Sequence, residues 1–363
     1  MGKMTNIRAW IGVTVLALST LSSACLWDRD TLADQNSRFP GFFEATLGWF
    51  DKNPNLYYTM RANRIARAGK SRELTFEEID DAAVSLDRTG DSDKAITWMG
   101  KKKARLDAMG AAAPKDHLYR YHSNLATFQI HKWLAHPNKK NPVLVRDSIS
   151  NLEKAIEINP DAHFGREAVQ LNLTKLILFD LENKPNGQDD KAYKAQVEAI
   201  TSDLNKQQNG MNLTPEQKQS KALEGITGII ILGYGYSLPD MYTLAKAQLY
   251  DNGKMKWVCD IRMKELEVDG VGHVFSRALV QTIPHGGLDA LPDDKERINA
   301  LYIKLRNEAD AHNDYRAKFM TTRLKKGLHP DTSKSFWDGY KPLPSIDISI
   351  PEPNADPRFK GRG

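Results

Sequence analysis

The sequence has few long apolar runs and no tract of biased composition. Only one stretch in 363 residues is apolar enough to meet a membrane, and it lies at the N-terminus, which excludes a protein with several membrane spans. The residues are 40% hydrophobic and 27% charged, which excludes collagen, a coiled-coil rod and wholesale disorder. The length suits one large or two ordinary domains.

The sequence also has little excess of charge of either sign and few aromatic residues. It contains 51 basic and 46 acidic residues, and 9% of its residues are aromatic. The short basic runs at residues 101–103 and 325–326 have no aromatic residues interleaved with them, so nucleic-acid binding is not supported.

Residues 1–24 have the pattern of an export signal. Two basic residues precede the apolar run at residues 10–21, which is too short to span about 30 Å of hydrocarbon comfortably. Residues 21–25, Leu-Ser-Ser-Ala-Cys, resemble the lipobox of bacterial lipoproteins, in which the cysteine becomes the lipidated first residue. The resemblance implies lipidation of Cys25 and a location in the bacterial cell envelope, lipid-anchored in a membrane or periplasmic. The leucine stands four rather than three places before the cysteine, so ordinary cleavage and an uncleaved anchor also stay open.

Cys259 is the second and last cysteine of the sequence. If Cys25 carries lipid, no disulfide can form within the chain. The surroundings of Cys259 favour a small buried residue over a nucleophile.

The spacing of apolar residues predicts an all-α fold. From about Phe42 to Lys326 these residues recur at helical spacing, without the sustained alternation that strands require. Proline and glycine separate the predicted helices from one another.

Residues 77–106 contain the clearest repeat unit. A first helix ends near a glycine that can adopt the left-handed conformation, and an aspartate, Asp91, can cap the second helix. Small residues let the two helices approach closely, and a bulky residue fills the space between them. This pattern resembles the tetratricopeptide repeat, whose 34-residue signature has residues of these types at the same four positions. Those positions are Ala83, Gly90, Ala95 and Met99.

Residues 116–160 resemble a second unit of the same family. An insertion at residues 136–142 lengthens its internal loop, so this unit departs from 34 residues, and a helix at residues 162–181 would begin the next repeat. The proline follows the second helix, as it does at the end of the family's repeat. The matching positions are Leu152, Ala155 and Pro160.

As a whole, the chain is similar to bacterial lipoproteins with tetratricopeptide repeats. The resemblance is specific over residues 75–165 and weak elsewhere. It implies a right-handed superhelix of antiparallel helix pairs, with additional C-terminal helices and an extended tail, and it carries no activity or cofactor. The regions are then a signal peptide at 1–24, a linker at 25–41, helical repeats at 42–182, a C-terminal helical region at 183–328 and a proline-rich tail at 329–363.

Beyond the repeats, the sequence predicts further helices and an unpacked tail. The run at residues 225–233 is the most apolar part of the mature chain and is expected at the buried centre, as a helix or, because β-branched residues dominate it, as a strand. Within the tail, Phe336 and Trp337 are the residues expected to dock on the last helix. Helices are expected at 192–204, 214–232, 238–250, 257–266, 271–283 and 293–326.

Motifs that carry catalysis or metal binding are missing from the sequence. The Gly-Lys-Ser at residues 69–71 lacks the earlier glycine of a phosphate-binding loop, and residues 233–235 lack the third glycine of a dinucleotide fingerprint. The four clustered histidines at residues 117–136 do not have the spacing that places two metal ligands on one helix face. We therefore expect no metal, no cofactor and no enzymatic activity.

The first functional hypothesis is a protein-binding scaffold. The first helices of stacked repeats line a concave groove, so their exposed polar residues would contact a peptide or a partner domain in the cell envelope. Each of these residues can also be a solvated side chain without a role. The candidate partner-binding residues are Glu78, Asp81, Ser85, His122, Asn124, Thr127, His131 and Gln170.

The alternative hypothesis is an exported enzyme or small-ligand receptor. Its site would lie in the C-terminal half, near residues 225–235 with Tyr234, Tyr236 and Tyr242. Glycine and aromatic residues can line a pocket, although they pack a core more often. A deep pocket with converging polar groups favours this hypothesis, and a solid core at this place opposes it.

Overall fold

The computed structural model describes residues 26–35, 41–160, 166–183, 191–206, 214–232, 238–249, 252–283 and 292–342. The predicted signal and Cys25 lie outside these ranges. Within them the chain is all-α, as predicted, and contains no strand. The α-helices are α1 Arg29–Gln35, α2 Phe42–Leu47, α3 Asn55–Ala68, α4 Phe76–Arg88, α5 Ser92–Met109, α6 Lys115–Ala135, α7 Val143–Ile158, α8 Arg166–Glu182, α9 Lys191–Lys206, α10 Pro215–Leu232, α11 Pro239–Gln248, α12 Gly253–Val268, α13 Arg277–Thr282 and α14 Pro292–Leu324.

Helices α4 and α5 form the antiparallel pair that the sequence predicts. Gly90 has a φ of 88°, which ends α4 in the left-handed region, and the Asp91 side chain caps α5 by accepting a hydrogen bond from the Lys94 amide at 3.1 Å. The three predicted packing residues between the helices are completely buried. They are Ala83, Ala95 and Met99.

Helices α6 and α7 form the second antiparallel pair. The Ser148 hydroxyl of α7 donates to the carbonyl of Ala126 in α6 at 2.8 Å, which requires close contact between the two helices. Leu152 and Ala155 are completely buried, and α7 ends at Ile158, before Pro160.

The first helices of successive pairs lie parallel to one another. Asn124 of α6 hydrogen-bonds Asp80 of α4, 44 residues earlier, and Thr127 of α6 hydrogen-bonds Gln170 of α8, 43 residues later. Because the offset hardly changes, α4, α6 and α8 follow one another with the same direction and almost the same register. Two more pairs have an offset of 44, namely Asp87 with His131 and Ser123 with Glu167.

The C-terminal half packs around α10. Ile226, Ile229 and Ile230 belong to the largest apolar cluster, which also contains residues of α2, α8, α11, α12 and α14. The described part of the apolar run is therefore a buried helix, and the strand alternative is wrong. Gly228 permits α8 to approach closely, because a Cβ atom there would lie 2.2 Å from Cδ of Arg166.

The end of the described chain folds back onto α14 and α3. Phe336 is completely buried, and the ring of Trp337 stacks on Phe319 with centroids 6.0 Å apart. The docking of these two residues is confirmed, whereas the prediction of a mostly unpacked tail is wrong for residues 329–342. The rest of the tail lies outside the described residues.

Two further expectations need correction. The predicted helix at residues 271–283 is limited to α13, because the Asp240 carboxylate binds the Val274 amide at 2.7 Å and holds the chain before α13 in another conformation. The predicted linker at 25–41 contains α1 and several buried residues. None of the helices in the described ranges is both long enough and apolar enough to cross a membrane.

Candidate functional site

The groove along α3, α4 and α6 is filled by the chain's own residues 26–35, called here the N-terminal segment. Leu26 is completely buried in the apolar cluster of α4, α5 and α6. Trp27 is buried in a second cluster with Tyr119 of α6 and Ala155 of α7. The segment therefore packs as part of the fold.

Asn124 holds the main chain of the segment at Trp27. Its carbonyl oxygen accepts a hydrogen bond from the Trp27 amide at 2.6 Å, and its Nδ2 donates to the Trp27 carbonyl at 3.1 Å. One amide side chain thus satisfies both main-chain groups of one residue. Because every non-proline residue offers the same two groups, this contact does not depend on the side chain that is bound.

Asp81 provides the second main-chain contact. Its Oδ1 accepts from the Arg29 amide at 2.9 Å, and its Oδ2 accepts from Nε of Arg29 at 2.6 Å. The carboxylate is buried, so these charge-assisted bonds are strong ones. Asn124 and Asp81 together hold the segment at residues 27 and 29.

Aromatic contacts position the Trp27 side chain. Its indole N–H donates to the Tyr119 hydroxyl at 3.2 Å, and the two rings meet edge to face with centroids 5.2 Å apart. The Arg120 guanidinium lies 5.3 Å from the indole centroid. Tyr119 in turn donates to Glu167 of α8. The indole site therefore joins α6 to α8.

Arg61 connects the segment to the turns at residues 329–342, which follow α14 and are called here the C-terminal turns. Its guanidinium contacts Asp30 at 2.8 Å, Asp28 at 3.5 Å and Asp331 at 2.8 Å, and the Arg61 side chain is 0% exposed. Burial, and next the repulsion of Asp30, raise the pKa of Asp28 to about 7. Asp28 also accepts from the Thr31 amide at 2.9 Å and so caps α1.

A separate buried ion pair lies between α4 and α5. Nζ of Lys102 contacts Oδ2 of Asp80 at 2.7 Å, and neither side chain is more than 1% exposed. Burial raises the pKa of Asp80 to about 6 and lowers the pKa of Lys102. Asn124 also donates to Asp80, so the pair supports the residue that holds the segment.

Most of the predicted partner-binding residues are not exposed, and that expectation is wrong. The N-terminal segment and the neighbouring first helices cover them. Of the eight, only Asp81 and Asn124 bind the segment through hydrogen bonds given above. Six are buried, namely Asp81, Ser85, Asn124, Thr127, His131 and Gln170.

The other candidates have partners within the helical stack. Thr127 pairs with Gln170, and His131 lies 2.7 Å from the Asp87 carboxylate. Glu78 completes the capping box of α4 with Thr75, and His122 lies 2.8 Å from Asn151. These contacts join helix to helix or stabilise a helix end.

Sequence reasoning missed four other residues that build this site. Asp28, Arg61, Tyr119 and Asp331 were not among the candidates. The available signal was the apolar, aromatic and acidic sequence of residues 26–28, which is unusual for a solvated linker.

The features that support the ligand-receptor alternative lie in a packed core. Tyr242, Ile226 and Ile230 are completely buried, while Tyr234 and Tyr236 lie outside the described residues. A different surface groove, of about 740 Å³, runs between α12 and α14 past Val268 and Ile303. This groove contains none of the residues that the ligand-receptor hypothesis predicted for its site.

The cysteine chemistry is that of a core residue. Cys259 is completely buried, and burial raises the pKa of its thiol well above the ordinary range. The thiol therefore stays protonated and packs with its apolar neighbours, as predicted.

Within the described ranges, no three His, Cys, Asp or Glu side chains are placed to hold a metal ion. Comparisons with protein-family models, curated protein sequences and solved structures find no match to this chain. Its function is therefore inferred from its own residues and their geometry.

Proposed function

We propose that this chain is an exported, lipid-anchored protein of the tetratricopeptide type that acts as a protein-binding scaffold in the bacterial cell envelope. The proposal assigns it no catalytic step and no cofactor. The observation that carries it is the groove of α4 and α6, where Asn124 and Asp81 hold the N-terminal segment by main-chain groups of Trp27 and Arg29, at the point where α1 begins.

The stacking of the helices supports a repeat architecture. Offsets of 43 and 44 residues relate α4 to α6 and α6 to α8, as expected when each helix pair contacts only its neighbours. We infer a right-handed superhelix from this series. The units are longer than the 34 residues of the family's signature, which agrees with the insertion in the second unit.

The N-terminal segment also determines how close the proposed lipid anchor lies to the groove. Cys25 directly precedes Leu26, so their Cα atoms are about 3.8 Å apart. A lipid on Cys25 would therefore be attached at the groove itself, without a flexible linker. A partner segment that binds the groove would compete with a tethered occupant.

The experiment is recovery of partners with the tagged full-length protein from lightly crosslinked cell envelopes, with identification by mass. Asn124→Ala combined with Asp81→Ala removes the main-chain contacts and should lower the recovery of a stoichiometric protein on the order of tenfold. Trp27→Ala weakens the resident segment and changes no residue of the groove helices, so it should raise recovery of the same protein.

The control variant is Asn151→Ala, which removes side-chain hydrogen bonds between α6 and α7 outside the groove. It should leave recovery unchanged. A protein that is recovered without any partner, or a partner whose recovery is the same in all variants, would contradict binding at the groove.

A further inference from the structure

An aromatic cluster lies on the surface where the C-terminal turns meet α14. Trp337 stacks on Phe319 with the ring planes 4° apart, and Tyr340 stacks on Tyr315 with centroids 5.5 Å apart. Trp337 and Tyr315 are each 38% exposed. The rings thus present aromatic surface to solvent beyond what is needed to bury Phe336.

Basic residues surround this cluster, and the lysines among them are unpaired. Residues 315–342 contain seven basic and two acidic residues, a net charge of +5. Of these residues, Arg316 is buried and pairs with Asp51 at 3.1 Å, and Asp331 is bound by Arg61. All five lysines are exposed, and none pairs with a carboxylate in the part of the chain that the structure describes. They are Lys318, Lys325, Lys326, Lys334 and Lys341.

A groove of about 470 Å³ brings the two kinds of residue together. Tyr315 and Phe319 line it together with Lys318, Arg323 and Lys326. The Arg323 guanidinium lies 4.7 Å from the Phe319 centroid and donates to the carbonyl of Ser335 at 3.0 Å, which fixes the turns that carry Trp337. We call residues 315–341 of this region the aromatic–basic surface.

This surface is close to the beginning of the mature chain. Asp331, between α14 and Trp337, lies 3.6 Å from the guanidinium of Arg29. Arg29 follows Cys25 by four residues, so their Cα atoms are at most about 14 Å apart. The proposed anchor and the aromatic–basic surface are thus joined by a short path.

We propose that the aromatic–basic surface binds the anionic headgroups of a membrane. Tryptophan and tyrosine are the residues that favour the boundary between lipid and water, and lysines around them are attracted to anionic lipids. Nucleic acid also attracts lysines, but the path to Cys25 favours a membrane. The preference for a membrane over nucleic acid rests on the proposed lipid at Cys25, whereas the contact itself is additional to the scaffold function and does not need that lipid.

The test uses the chain from residue 25 to 363 with Cys25→Ser, which keeps every described residue and removes the lipid. Flotation with vesicles is compared between phosphatidylcholine alone and an equal mixture with phosphatidylglycerol. We expect binding to the mixture only, and loss of binding when salt rises from about 0.1 M to about 1 M, because the Debye length falls from about 10 Å to about 3 Å.

Three exposed lysines test the surface itself. Replacing Lys318, Lys326 and Lys334 by Gln should weaken binding on the order of fivefold for each lysine, so on the order of a hundredfold for the triple variant. The control carries the same loss of charge at three exposed lysines outside the surface, and it should bind as the parent does. The control positions are Lys139, Lys140 and Lys154.

Two results would overturn the proposal. The first is equal binding to both kinds of vesicle, or equal binding by the triple and control variants. The second is binding to a labelled single-stranded RNA that the triple variant loses, without binding to the anionic vesicles. The first would show that the charge of this surface does not contribute to membrane binding. The second would show that the surface binds nucleic acid.

Discussion

Charged side chains are buried and paired in and beside the groove, whereas the lysines of the aromatic–basic surface are exposed and unpaired. In the groove, Arg61 has no exposed area and contacts three carboxylates, and beside the groove, between α4 and α5, Lys102 is buried against Asp80. On the surface, Lys318 and Lys334 have solvent around them. A buried ion is retained only with its partners, so Arg61 and Lys102 belong to the fold, while the exposed lysines are available for binding.

Of the variants considered, Arg61→Met should have the largest effect on the free energy of unfolding, so it tests the contrast between buried and exposed charges most directly. It leaves the carboxylates of Asp28, Asp30 and Asp331 near one another without the cation between them. We expect the free energy of unfolding to fall by about 3–5 kcal/mol in urea denaturation. Arg72→Met, which removes an exposed ion pair with Glu78, is the control and should change stability little. Equal effects of the two variants would contradict the structural role of the buried network.

Gly228→Ala should cost less, because it tests close packing in the C-terminal half. The new methyl group would meet Cδ of Arg166, whose side chain is 2% exposed and has little room to move. We expect a loss of about 1–3 kcal/mol in thermal or urea unfolding. Gly100→Ala is a matched helical control, because a Cβ atom added there would have no atom within 4 Å apart from its own helix backbone and chain neighbours. This variant should stabilise the chain by about 0.5–1 kcal/mol. A neutral Gly228→Ala would mean that α8 and α10 are further apart.

Asp28→Asn tests the buried charges of the groove through the pH dependence of stability. Burial raises the folded-state pKa of Asp28 from 3.8 to about 7, so between these values the folded chain holds a proton that the unfolded chain releases. The contribution of Asp28 therefore favours folding at low pH and is lost as pH rises from 3.8 to about 7. Urea unfolding as a function of pH should show a shallower fall over this window in Asp28→Asn than in the parent. An unchanged slope would show that Asp28 stays ionised.

The local part of the fold was predictable, and the site was not. The C-terminal end of α4 and the start of α5 were predicted correctly because Gly90 and Asp91 act on the helix ends next to them. The occupant of the groove was missed because its contacts join distant residues: Trp27 and Asn124 are 97 positions apart. Helix α1, with 7 residues, is also too short for a periodic signal.

The aromatic–basic surface was missed for the same reason. Lys325 and Lys326 have no aromatic neighbours in the sequence, and Trp337 reaches this region only when the turns fold back onto Phe319. A pattern made by tertiary contacts has no fixed spacing along the chain. Polar residues on the first helices, in turn, were predicted to be exposed because nothing local in the sequence indicates that the N-terminal segment and the neighbouring helices cover them.

Lys318→Gln and Lys334→Gln should have the smallest effect on stability. They test whether the exposed lysines of the aromatic–basic surface are dispensable for the fold. Both side chains are exposed, so their loss removes no buried contact. Each variant should change the melting temperature by less than about 2 °C. Circular dichroism on heating measures this directly. A larger loss would mean that these lysines support the docked turns, and a weaker binding to vesicles could then no longer be assigned to their charge.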